Sequence, residues 1–79
     1  MRGRGTSPRR ARSQARAVDA WRAAAAGVWS RWAAFQAAPG PLRPGAFAAY
    51  VEALDAEEEA AARVAELGAL MRAWRSVAG

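Results

Sequence analysis

Residues 38–45 read APGPLRPG: three Pro and two Gly in eight positions, a density that no helix or strand interior tolerates. Pro39 biases Ala38 away from helical angles, so a preceding helix should stop near residue 37. Pro44 suits the first turn of a following helix, where its missing N–H costs nothing. On either side lie long Ala-rich stretches holding most of the good helix formers, with few β-branched residues and no alternation of period two. A single break between two helical stretches predicts an all-α chain. A connection this short makes the two helices antiparallel neighbours.

The stretch before the break, AVDAWRAAAAGVWSRWAAF (17–35), phases cleanly. Val18, Trp21, Ala25, Val28, Trp32 and Phe35 follow 3-4-3-4-3 spacing, the pattern of a helix packed along its length. Trp29 lies one step beside that stripe, and Gly27 falls roughly opposite it. After the break there are two apolar stretches: Phe47, Tyr50, Val51, Leu54 and Ala61, then Val64, Leu67, Leu70, Met71, Trp74 and Val77. These point to different faces of a straight helix, so the second helix must wind around the first or bend, with Gly68 as the weak point.

Folding the chain about residues 41–42 sets residue i against roughly 83 − i. Trp32 and Phe35 then meet Phe47 to Val51, with large residues facing small ones in several layers farther along. Arg31 falls near Glu52, and Arg22 near Glu58 and Glu59. Leu70, Met71, Trp74 and Val77 fall opposite residues 6–13, TSPRRARS, which offer nothing apolar larger than Ala or Pro. Either arginine stems cover Trp74 through cation–π contacts or that stripe awaits another molecule. Two helices shield one face of each other only, so a bundle completed by a second copy, most simply an antiparallel dimer, or by a partner protein is expected. Trp29, Leu67, Leu70, Met71 and Trp74 are the residues assigned to that contact.

The predicted organisation is a disordered Arg-rich arm over 1–14, helix 1 over 15–38, a Pro/Gly hinge over 39–44 and helix 2 over 45–77. The chain has 79 residues, and a single core barely outweighs chain entropy at that size. There is no Cys, so no disulfide supplements it. All twelve basic residues are Arg, and there is no Lys, His, Asn or Ile, a vocabulary that GC-rich coding produces whatever the protein does. The distribution of charge is more informative than its total of +5. Residues 1–16 carry six Arg and no acid, 17–46 three Arg and one Asp, and 47–79 three Arg and six acids.

Arg2, Arg4, Arg9, Arg10, Arg12 and Arg16 therefore form a cationic arm suited to phosphate backbones, which makes nucleic-acid association the main alternative function. Two readings compete with it: a solvated disordered terminus, and a translation start at Val18, which would open the chain directly on the first helix and leave residues 1–17 unmade. The Trp/Arg composition of residues 16–37 gives a second alternative, an amphipathic helix on a membrane surface. An intramolecular mate and a polar face made mostly of Ala weigh against it.

Catalysis finds no constellation. Without His, Cys or Lys the common bases and activated nucleophiles are missing, and Ser7, Ser13, Ser30 and Ser76 have nothing to activate them. Glu52, Asp55 and Glu59 stack on one helical face but read as a solvated surface rather than a metal site. No cofactor, metal or small-molecule substrate is expected. The twin Arg9-Arg10 is followed by charged rather than apolar residues, and no transmembrane run exists, so the expected location is cytoplasmic.

Overall fold

A computed structural model describes residues 8–78, and all of them but the hinge are helical. Helix α1 spans Pro8–Ala37, a 3-10 turn spans Gly40–Leu42, and helix α2 spans Arg43–Ala78. The two helices form an antiparallel hairpin 61 Å long and only 16 by 12 Å across. Two helices side by side and nothing more account for that cross-section.

The hinge turns within very few residues. The Ala38 N–H donates to the Phe35 carbonyl at 3.2 Å, closing α1 with a tightened last turn. Pro39 is extended (φ −61°, ψ 156°), as its ring and missing donor favour, and this redirects the chain. The Leu42 N–H then donates to the Pro39 carbonyl at 2.9 Å, and the Arg43 N–H to the Gly40 carbonyl. Helix α2 therefore begins at Arg43, two residues before the expected boundary, with Pro44 in its first turn.

Helix α1 begins at Pro8, inside the segment 1–14 read as a disordered arm. Pro at the first helical position is preorganised for the fold, and Arg, Ala and Gln are good helix formers. Docking on α2 supplies the rest. The Arg10 guanidinium carbon lies 4.4 Å from the Trp74 ring centroid, and Gln14 lies beside Gly68. Residues 1–7 of that arm, Arg2 and Arg4 among them, lie outside the described residues.

The pairing sum predicted from the hinge holds along the whole rod. Phe35 packs at a tilt against Phe47 and Trp32 against Tyr50 near the hinge, both summing to 82, while Arg10 on Trp74 at the open end sums to 84. Helix α2 keeps this contact by winding: it runs unbroken through Gly68. Its half-buried residues include Ala46, Tyr50, Ala53, Glu57, Ala60, Val64, Leu67, Met71 and Trp74, an uninterrupted 4-3 repeat.

That seam differs from the apolar stretches picked from sequence. In the hinge half of α2 the inward positions belong mostly to Ala, and Phe47, Val51 and Leu54 lie beside them, more than a third exposed. Near the hinge, large meets large, as the fold line requires. Trp32, Phe35, Phe47 and Tyr50 form one cluster with ring centroids 5.1–6.2 Å apart, and Arg43 lies 4.5 Å over Phe35. Each such ring pair adds about 0.5–1.5 kcal/mol beyond area burial, enough to latch the hinge end. Farther along, small residues let the helices close together, and Ala17 reaches 8% exposure. No other described residue is as buried. Gly27, expected opposite the seam, is half-buried on its flank and borders α2 in a groove with Ala49 and Ala53.

Candidate interaction surface

A hairpin leaves two open faces, and these differ in chemistry. One face carries small residues. Ala24, Gly27 and Arg31 of α1 line a groove with Ala49, Glu52, Ala53 and Ala56 of α2, which brings Arg31 and Glu52 together as the register requires. The groove continues toward the open end between Arg16, Ala17 and Ala20 on one helix and Glu59, Ala60 and Arg63 on the other.

The opposite face is aromatic. Trp29 is 71% exposed and forms a groove with Val28, Trp32 and Tyr50. Trp21 on the same flank of α1, and Phe47 (49%) and Leu54 on the adjoining flank of α2, extend the strip, with Val51 at its edge. Helical phase places these residues together: positions 21, 25, 29 and 32 share one side of α1, and 47, 50 and 54 the matching side of α2. The strip occupies about 20 Å of the hinge half of the rod, given 1.5 Å of rise per residue.

The five residues assigned to partner contact do not form a single surface. Leu67, Met71 and Trp74 lie half-buried on the seam between the helices, because α2 keeps its inward register to the end. Trp74 is covered by Arg10, the first of the two ways its exposure was expected to be resolved. Leu70 is 65% exposed, but it faces a different groove with Arg63, Glu66 and Leu67. Trp29 alone of the five belongs to the aromatic face. Trp21, Phe47, Val51 and Leu54, read as inner residues, are its neighbours there. The overlooked signal was the Ala repeat at 46, 53 and 60, whose 4-3 phase with Tyr50 displaces the larger residues outward.

Of the described arm arginines, Arg9, Arg10, Arg12 and Arg16 lie along α1 with exposed side chains. Glu52, Asp55 and Glu59 are exposed along α2. Among the described residues no three His, Cys, Asp or Glu side chains are grouped to hold a metal ion, and no helix is long and apolar enough to cross a membrane. No protein-family model matches this chain, and comparisons with curated proteins and with solved structures give no match either.

Proposed function

We propose that this chain is a non-enzymatic interaction module that self-assembles, two hairpins pairing through their aromatic faces into a four-helix bundle. One observation carries the reading: four large apolar residues beside Trp29 are more than a third exposed on one face, while a single Ala is the most enclosed residue described. Burial figures from elsewhere in the molecule support it. The radius of gyration is 17.9 Å, against about 12 Å for a compact chain of this length. The accessible surface is 5809 Å², some 1,200 Å² above the ~4,600 Å² typical of a compact monomer of this mass. A standard interface takes about 800 Å² from each partner, so a second copy fits within the excess. An isologous pairing also lets each Trp29 enter the groove beside its counterpart without leaving an open chain of contacts.

The test is the solution mass of the full chain by light scattering across a wide concentration range. A dimer of twice 8.4 kDa is the expected result. A monomer at every concentration overturns the reading.

A further inference from the structure

The hairpin gathers charge in a way the linear sequence conceals. Residues 47–79 carry a net −3, yet their three arginines, Arg63, Arg72 and Arg75, all lie toward the open end of the rod. Antiparallel folding sets them beside Arg9, Arg10, Arg12 and Arg16 of α1. Arg16 and Arg63 border one groove from opposite helices. At the end itself, the Arg72 Nη1 lies 3.5 Å and the Gln14 Nε2 4.0 Å from the position a Cβ on Gly68 would take. Across residues 8–16 and 63–77 there are seven arginines and one acid, Glu66, while the middle of the rod, residues 17–31 and 52–62, holds six acids against Arg22 and Arg31. The rod is thus acidic at its centre and strongly basic at its open end.

We infer that the open end is a binding surface for the phosphodiester backbone of nucleic acid, built jointly from α1 and α2. Three features of the cluster support this occupant. All seven side chains are exposed, with Glu59 the one acid in the groove that Arg16 and Arg63 border. Arg10 already lies over Trp74, and the other six are sufficient for the argument. Secondly, the first turn of α1 contains no acid. Arginines there sit at the amide end of the helix, whose own field opposes them, and a bound polyanion relieves that opposition. Arg75, in the last turn of α2, needs no such explanation, because it complements the carbonyl end. Thirdly, the cluster is extended. Residues 63–75 cover about 18 Å of rod, which suits a ligand carrying a charge every ~1.7 Å better than a single phosphate. Guanidinium groups add forked, two-bond recognition of phosphate oxygens.

The experiment is a titration of the full chain against a fluorescently labelled duplex of about 20 base pairs, between about 50 and 200 mM salt. Neutralising about five phosphates gives a log–log slope near −4.5. The triple variant Arg63→Gln, Arg72→Gln, Arg75→Gln should keep the helical spectrum, weaken binding at least tenfold at low salt and flatten the slope by about 2–3. Should the triple variant lose helicity, each single substitution is measured instead, with a loss of about 0.9 in slope expected from each. An unchanged slope overturns the joint surface, since α1 and the residues before it would then bind alone. Absence of binding at low salt overturns it as well. So does equal competition by polyglutamate or by phosphatidylserine vesicles, which would point to a different polyanion.

Discussion

Trp29→Ala separates self-assembly from folding. The side chain is 71% exposed and borders only Val28, Trp32 and Tyr50, so the hairpin owes it little. A tryptophan carries up to about 250 Å² of burial, of which some 180 Å² is then still open to water. Truncation to Ala leaves part of that surface in place, so about 100 Å² of apolar contact is lost per copy, worth about 2.5 kcal/mol at 25 cal/mol per Å². Ordering costs at an interface reduce the realised figure to about 2 kcal/mol. Each copy contributes once in an isologous dimer, giving about 4 kcal/mol and a rise of about 1,000-fold in Kd. Light scattering at matched concentrations reads the mass, and far-ultraviolet circular dichroism of the same samples reads the hairpin. The expected result is a monomer with the parent helicity once the parent is assayed near its own dimer Kd. Helicity lost in step with mass would refute the reasoning, because Trp29 would then be holding the hairpin itself. An unchanged mass would refute it from the other side.

Three further perturbations probe the hairpin. Trp32→Ala removes the centre of the ring cluster with Phe35 and Tyr50 and should destabilise the fold by about 3 kcal/mol, seen as a large drop in the thermal midpoint. Gly27→Ala, with nothing within 4 Å of the new Cβ, should stabilise by about 0.5–1 kcal/mol and raise Tm by several degrees. A lower Tm would mean that another chain occupies that groove. Arg10→Ala uncovers Trp74 and should cost about 1 kcal/mol, with faster amide exchange confined to residues near the open end.

The hairpin was legible in the sequence because the hinge is. Two helical stretches separated by APGPLRPG can only double back, and the fold line then fixes register through chain geometry, as the pairs Phe35–Phe47 and Trp32–Tyr50 confirm within one residue. The inward face of α2 was not legible, because hydrophobic size was a misleading guide. Phe47, Val51 and Leu54 outweigh Ala46 and Ala53 on any transfer scale, yet close approach of two backbones selects the small residues for the seam. Inner and outer residues near the hinge were exchanged as a result. The basic end was invisible for a different reason. Along the chain the arginines of α2 lie among acids, and they join those of α1 only across the fold.

The positions of the aromatic strip and the basic end fix the geometry of the proposed dimer, and that geometry is measurable. Since the strip lies in the hinge half, two copies that superpose their strips antiparallel overlap near their hinges and point their open ends apart. The twofold axis then crosses each rod about 17 Å from its hinge, while residue 73 lies about 45 Å from it, from the helical rise. Spin labels on Ala73→Cys, an exposed position in a chain with no other Cys, should therefore sit about 55 Å apart by double electron–electron resonance. Full overlap of the two rods would bring them to about 35 Å. A distance near 55 Å leaves each basic end open, so assembly through Trp29 and phosphate binding through Arg63, Arg72 and Arg75 act on separate halves of the rod. A distance near 35 Å would mean that the small-residue face, not the aromatic strip, decides how the copies meet.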